Sequence, residues 1–261
     1  MMKRLFSWNI VAPVSVIILI LAVWQLAASL FDIPSWMLPS PVQIVEEGMQ
    51  IYPRVLDHSL STVLIALGGF AIGASVGIIL AVGLHLIPQV RQAVYPLMVL
   101  SQNIPIIALA PLLVLWFGFG ALPKILIITL VCFFPIAVSL IDGFRQTNPA
   151  LLNYMRMIGA NRRQIFFKLE WPSALPYFFS GLKISATYSV MGAVIAEWLG
   201  AQKGLGVFMT VASSAFRTDQ VFVSIFAIML ISMILFGFIL LLEKWMIPWN
   251  TETKGSERDD G

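Results

Sequence analysis

Charged residues are scarce in this 261-residue chain. They make up 11% of the sequence, whereas hydrophobic residues make up 59%. Soluble domains carry about 25% charged residues, and one water-facing globule of this length could not bury so much apolar surface. Lipid is therefore expected to solvate much of the chain. The formal net charge of +3 is typical of a membrane protein that collects Lys and Arg on its cytoplasmic side, so we expect no nucleic-acid partner.

Cysteine and histidine are also nearly absent. Cys132 is the single cysteine, which excludes an internal disulfide, and its apolar surroundings predict a small buried residue. His58 and His85 lie at opposite ends of one apolar segment, too far apart to share a metal ion. They are expected to be polar residues at the membrane interface.

Sites for nucleotide binding and catalysis are not evident either. The glycine-rich stretch 200–206 lacks the residue order of a phosphate-binding loop and is expected to form a flexible outer loop or gate. No serine–histidine–aspartate set or paired carboxylates stand out. We therefore expect a non-enzymatic chain with no cofactor and no metal site.

Long apolar runs are what the sequence does contain. Six runs are each long enough to cross about 30 Å of hydrocarbon as a helix, which predicts an all-α membrane protein with six transmembrane helices. They cover residues 10–30, 58–87, 92–117, 122–144, 174–199 and 221–243. The first run is too long for a typical signal-peptide core, so an uncleaved first span is favoured over a cleaved signal.

The basic residues between these runs are distributed unevenly. The loops on one side carry Lys3, Arg4, Arg91, Arg145, Arg156, Arg162, Arg163, Lys168, Lys244, Lys254 and Arg258, whereas the other side carries Arg54, Lys124, Lys203 and Arg217. Because Lys and Arg favour the cytoplasmic side, both termini are predicted to be cytoplasmic. The expected organisation is a cytoplasmic N-terminus over 1–9, the first helix and an outer amphipathic segment over 10–57, a core over 58–245 and a cytoplasmic tail over 246–261.

Proline and small residues mark features within the spans. Ser40 followed by Pro41 and Gln43 predicts a capped outer amphipathic helix that Pro53 ends. Glycines at 69, 73 and 77, and the small residues Ser185, Ser189 and Ala193, recur every fourth position, a spacing that favours close helix packing in lipid.

Polar residues inside the spans are candidates for a translocation pathway. Ser101, Gln102 and Asn103 lie in the third run between Pro96 and Pro105, which favours either a helix lining a pathway or a kinked interior helix. Glu197 and Lys183 lie near the ends of the fifth run. Intramembrane charge indicates function, and an interfacial position for Glu197 or snorkelling for Lys183 remains open.

The longest cytoplasmic loop, 146–173, has an ordered pattern. Asn148 and Pro149 predict the start of one short helix, Gly159 a left-handed end to it, and Asn161 the cap of a second short helix that Pro172 stops. An amphipathic hairpin of this kind needs a surface to pack against, and either lipid headgroups or a groove on a partner would serve.

This loop resembles the EAA loop of bacterial ABC importer permeases. The positions are Asn153-Tyr154-Met155, then Gly159 with Ala160, then Leu169 and Trp171-Pro172. The spacing matches throughout, although Asn-Tyr-Met replaces Glu-Ala-Ala, Leu replaces Ile, and Trp replaces Leu. The stretches "IPIIALAPLLVLWFGFG" and "GLKISATYSVMGAVIAEWLGAQKGLG" are similar to the nitrate, sulfonate and taurine branch of that family.

The resemblance implies a type I importer permease with a cytoplasmic coupling helix. Two permease chains, here as a homodimer, would form the pore in the cell membrane, and each loop would dock in a groove of a cytosolic ATP-binding subunit. An extracytoplasmic solute-binding protein would deliver a sulfonate, taurine, nitrate or a pyrimidine precursor of thiamine. The alternative is a carrier driven by an ion gradient, which would be expected to show buried carboxylates or repeats with broken helices.

Overall fold

The computed structural model describes residues 8–31 and 33–248, so Lys3, Arg4, Lys254, Arg258 and most of the expected terminal segments lie outside the described residues. The helices are α1 (Trp8–Leu30), α2 (Pro41–Leu86), α3 (Pro88–Ser101), α4 (Ile106–Phe117), α5 (Ala121–Arg145), α6 (Pro149–Met157), α7 (Arg162–Ile165), a π-helical turn (Phe166–Glu170), α8 (Trp171–Glu197), α9 (Leu205–Ser214) and α10 (Thr218–Met246). The all-α prediction is confirmed.

Among the described residues, five helical segments are long and apolar enough to cross a membrane: the part of α1 from Val11 to Leu30, α2, α5, the continuous stretch Arg162–Glu197, and α10. The bent pair α3–α4 makes a sixth if it counts as one span. Within the described part of the chain, the six predicted spans therefore correspond to five continuous candidates and one broken one.

Helix α5 lies at the centre of the bundle, packed between α2 and α8. The glycine stripe of α2 allows this approach, because a Cβ built on Gly69 would lie 2.4 Å from Ile128 Cβ and one on Gly73 would lie 2.7 Å from Cys132 Cβ. On the other side of α5, the buried Ser185 hydroxyl of α8 donates to the Cys132 carbonyl at 2.8 Å. The small residues thus pack helices together within one chain.

The expected end of the outer helix at Pro53 is wrong. Ser40 caps α2 as predicted, its hydroxyl accepting from the Gln43 backbone N–H and its own N–H donating to the Gln43 side chain. The helix then continues through Pro53 to Leu86, 46 residues in all, so the division between 57 and 58 falls inside it. A proline removes one backbone hydrogen bond, a loss that a long helix can absorb.

The expected stop at Pro172 is wrong as well. The chain passes from α7 through the π-helical turn into α8 without interruption, and the Trp171 N–H donates to the Phe166 carbonyl in the wider π pattern. Pro172 occupies the first turn of α8, directly after this wider turn. The local change in hydrogen-bond spacing accommodates a residue that has no N–H to donate.

Candidate functional site: the coupling hairpin and the outer junction

The loop 146–173 folds into a hairpin whose first arm is α6. The Asn148 side chain accepts from the Ala150 N–H at 2.9 Å, with Pro149 at the first helical position. At the other end Gly159 has φ +78°, and the Ala160 N–H donates to the Met155 carbonyl at 2.9 Å. This pattern of a left-handed glycine with a backward backbone bond is the Schellman end of a helix, so the predicted glycine turn is present.

The second arm starts with a reciprocal cap. The Gln164 N–H donates to Asn161 Oδ1 at 2.9 Å, and the Asn161 N–H donates to Gln164 Oε1 at 2.8 Å. Ile165 and Phe166 then turn into the protein and are buried. The hairpin is therefore anchored to the bundle by its second arm.

The first arm buries none of its residues. Its exposed apolar side chains are Leu151, Tyr154 and Met157, the last of them 83% exposed, and Ile158 after it is also exposed. Of the predicted coupling residues, Asn153 and Gly159 are exposed, while Met155, Ala160, Leu169 and Pro172 are half-buried. A capped arm that keeps most of its apolar side chains exposed is a candidate surface for contact with a partner.

Glu197 lies elsewhere, at the junction of α8 with α2 and α9. Its side chain is 1% exposed, and both carboxylate oxygens accept hydrogen bonds, from the Thr62 hydroxyl at 2.8 Å and from the Gly206 N–H at 2.8 Å. The Leu205 N–H donates to the Thr62 hydroxyl at 2.9 Å. The carboxylate thus sits at the first turn of α9, where backbone N–H groups favour negative charge.

The stretch 200–206, expected to be a flexible loop or gate, is held by several contacts. His58 Nδ1 lies 3.1 Å from the Gly204 nitrogen and 2.9 Å from its carbonyl oxygen, and Lys203 pairs with Asp57 at 2.9 Å. At Gly204, φ is +135° and an added Cβ would lie 2.1 Å from Glu197 Cδ. Beside this stretch is a cavity of about 440 Å³ whose lining includes Lys124.

Ser101, Gln102 and Asn103 occupy the break between α3 and α4, where the axis bends by 97°. The Ser101 hydroxyl donates to the Met98 carbonyl at 2.7 Å and the Asn103 amide to the Val99 carbonyl at 3.1 Å. Two of these polar side chains therefore satisfy carbonyls near the end of α3. Glu197 makes its hydrogen bonds with α2 and α9 rather than with this break, so the pathway residues predicted together lie in two separate places.

Two further polar contacts involve residues whose partners the sequence did not indicate. Lys183 pairs with Glu243 of α10 at 2.8 Å, so it does not snorkel alone. His85 lies 2.9 Å from Glu170 of the π-helical turn. Glu170 directly precedes the Trp171-Pro172 motif, and that proximity was the one sequence signal that could have singled it out.

The fold is a multi-pass helical membrane protein with a capped hairpin exposed between two of its candidate spans. Residues 73–248 match the family model of the binding-protein-dependent transport system inner membrane component. The chain belongs to this family, and it is a permease component of an ABC importer in the cytoplasmic membrane rather than an ion-gradient carrier.

Similarity to individual proteins covers nearly the whole chain. It is 37% identical to the formylaminopyrimidine transport permease protein of Halalkalibacterium halodurans, over 95% of this chain and 98% of that protein. It is 30% identical to the taurine transport system permease protein of Escherichia coli, over 95% and 93% of the two chains. The resemblance to the branch that includes taurine permeases is therefore confirmed.

A solved structure shares the fold. It is a crystal structure of an amino acid ABC transporter with histidines, which aligns with a TM-score of 0.64 over 76% of this chain and 96% of that one. Sequence identity is 12%, so this match speaks to architecture alone.

Proposed function

We propose that the chain forms, with a second copy of itself, the membrane pore of an importer that a cytosolic ATP-binding subunit drives. A solute-binding protein delivers the solute from outside, and both termini face the cytoplasm. The observation that carries this proposal is α6, whose apolar side chains are exposed although the helix is capped at both ends. Partner grooves take up amphipathic helices of this kind through an apolar face.

The exposed apolar side chains of the hairpin, rather than its charges, favour a protein partner. Arg156, Arg162 and Arg163 alone would suit lipid headgroups, but Tyr154, Met157 and Ile158 are exposed on the same arm. The left-handed turn at Gly159 fixes the angle between the two arms. A hairpin with fixed geometry can transmit movement from a docked subunit to the spans. A flexible loop lying on a lipid surface could not.

The solute we propose is a small pyrimidine. The relative named for formylaminopyrimidine shares 37% of its aligned residues with this chain, against 30% for the relative named for taurine. Sulfonates, taurine and nitrate are the competing solutes. Because the binding protein selects the solute first, the permease residues alone constrain it less than they constrain the coupling to ATP.

Gly159→Val tests the coupling hairpin. The backbone there has φ +78° with no atom within 4 Å of an added Cβ, so valine fits sterically but strains the turn. A tagged parent purified in mild detergent should bring down an ATP-binding subunit and support uptake of radiolabelled formylaminopyrimidine in cells. We expect Gly159→Val to reduce both the copurified ATP-binding subunit and the uptake at least about tenfold, because a misoriented α6 cannot bind in the groove of that subunit.

The matched control is Gly118→Val, which has φ +76° and equally open surroundings but lies at the end of α4. It should retain the ATP-binding subunit and the uptake. A parent that brings down no such subunit contradicts the coupling proposal. Uptake of taurine instead of formylaminopyrimidine contradicts only the solute.

A further inference from the structure

The contact between His85 and Glu170 joins two distant parts of the chain. His85 is the penultimate residue of α2, and Glu170 is the last residue of the π-helical turn. Their side-chain atoms Nε2 and Oε2 are 2.9 Å apart, and the two side chains are only 16% and 14% exposed. A short polar contact this far from water is held more firmly than a surface pair.

Aromatic rings hold the contact in one geometry. The His85 ring stacks on Phe144 with centroids 4.3 Å apart and an angle of 23° between the planes. Phe166 lies 6.1 Å from the same ring, and Trp171 lies 6.2 Å from Phe144. Packed rings on several sides leave the histidine little room to change rotamer.

The location of the contact is what gives it a role. No residue of the first arm is fully buried. The hairpin is joined to α5 through residues 146–148, and to the core shared with α2 through Ile165, Phe166 and the π-helical turn that follows them. Phe166 belongs to the same buried cluster as Leu84 of α2. On the other side, His85 stands three residues before Pro88, where α3 begins and leads to the broken span.

We propose that the His85–Glu170 contact is a positioning contact that passes movement of the coupling hairpin to the joint between α2 and α3. This inference rests on the proposed docking of an ATP-binding subunit at α6. A π turn is a wider and more strained helix turn that is frequent at functional positions. Glu170 lies at the end of this turn and contacts His85 of α2. Through this contiguous set of contacts, the hairpin, α8 and α2 would move together when the ATP-binding subunit moves the hairpin.

Hydrogen exchange of the purified complex in lipid nanodiscs tests the proposal without knowledge of the solute. The permease, with the ATP-binding subunit that copurifies with it, is compared with and without trapping by ATP and vanadate. In the parent, trapping should change exchange at α6 and at the backbone amides of residues 84–91 by about fivefold or more. In Glu170→Leu the change at α6 should persist while the change at 84–91 disappears.

Two variants separate this contact from a general loss of structure. Glu170→Gln keeps a side chain that can hydrogen-bond His85 and should restore the change at 84–91. Glu243→Leu is the matched control, because it breaks the Lys183–Glu243 pair, which is buried to a similar degree and has a similar N–O distance. It should leave the changes in exchange at α6 and at 84–91 intact. If Glu170→Leu does not assemble with the ATP-binding subunit, His85→Phe removes the same contact from the other side while retaining the ring stack on Phe144.

The proposal is contradicted if trapping changes exchange in the parent at α6 but not at residues 84–91. It is also contradicted if Glu170→Leu keeps both changes in exchange, or loses both while still binding the ATP-binding subunit. A loss of the change at 84–91 in Glu243→Leu, equal to that in Glu170→Leu, would contradict it as well. A parent that fails to copurify with any ATP-binding subunit would instead count against the proposed docking at α6.

Discussion

The two charged residues of α8, Glu197 and Lys183, have identifiable partners. Glu197 accepts from Thr62 and Gly206, and Lys183 pairs with Glu243. A buried charge or hydrogen-bond donor without a partner lowers the free energy of unfolding by far more than a satisfied one raises it. These two residues therefore contribute to the packing of α8 against its neighbours.

Glu197→Ala tests this at the outer junction. The change would leave the Gly206 N–H and the Thr62 hydroxyl without their buried acceptor, and we expect it to destabilise the protein by about 2–4 kcal/mol. Glu197→Gln should lower the stability by less than half as much. The glutamine oxygen can accept from the Gly206 N–H, and the glutamine NH₂ group can donate to the Thr62 hydroxyl. Thermal unfolding in detergent measures both.

Glu46→Ala is the control for that series. Glu46 is exposed in the N-terminal part of α2, so its removal should shift the unfolding temperature very little. Equal shifts for Glu46→Ala and Glu197→Ala would show that the hydrogen bonds at the outer junction contribute nothing specific.

Sequence patterns predicted the residue contacts that are local. The caps at Ser40, Asn148 and Asn161 join residues two or three positions apart, and such spacing is visible in one sequence. The pairs Thr62–Glu197, His85–Glu170 and Lys183–Glu243 join residues 135, 85 and 60 positions apart. Their partners depend on how helices pack, which a single sequence does not disclose.

Helices were predicted better than their ends. Hydropathy depends on composition over some twenty residues, and it located the apolar runs. Prolines had different effects from place to place: α2 continues through Pro53, α8 contains Pro172, but the third span breaks before Pro105. The difference lies in the neighbours, since Ser101 and Asn103 can bond the carbonyls near the break.

Adjacent glycines in α2 provide a test of helix packing. A Cβ on Gly69 would meet Ile128 Cβ at 2.4 Å, whereas one on Gly68 would meet no atom within 4 Å. Gly69→Ala should therefore push α2 from α5 and destabilise the protein by about 1–3 kcal/mol. Gly68→Ala should be neutral or stabilising by up to about 1 kcal/mol, because alanine favours the helix.

Thermal unfolding of the two single variants under identical detergent conditions measures the difference. Since the positions are neighbours in one helix, propensity is the same for both and only the contact with α5 differs. A Gly69→Ala protein as stable as Gly68→Ala would mean that α2 and α5 are not closely packed along this stripe.

At the scale of the whole molecule, charged groups gather at two ends. Asp57 pairs with Lys203, and Arg54 lies over the Phe208 ring, at one end. His85, Glu170 and the hairpin lie at the other, near Arg145 at the end of α5. The uneven distribution of Lys and Arg along the sequence is the basis for the proposed cytoplasmic position of the hairpin, which stays a prediction.

Cysteine labelling in cells tests that orientation directly. The only native thiol, Cys132, is buried, so an introduced cysteine at an exposed position should dominate the signal. Gln202→Cys, in the stretch beside the outer cavity, should react with a membrane-impermeant maleimide in intact cells. Met157→Cys, 83% exposed in the native residue, should react only after the membrane is opened, because α6 must face the compartment that holds ATP. The reverse pattern would place the hairpin outside, where no ATP-binding subunit could dock, and would refute the coupling role of α6 together with the orientation.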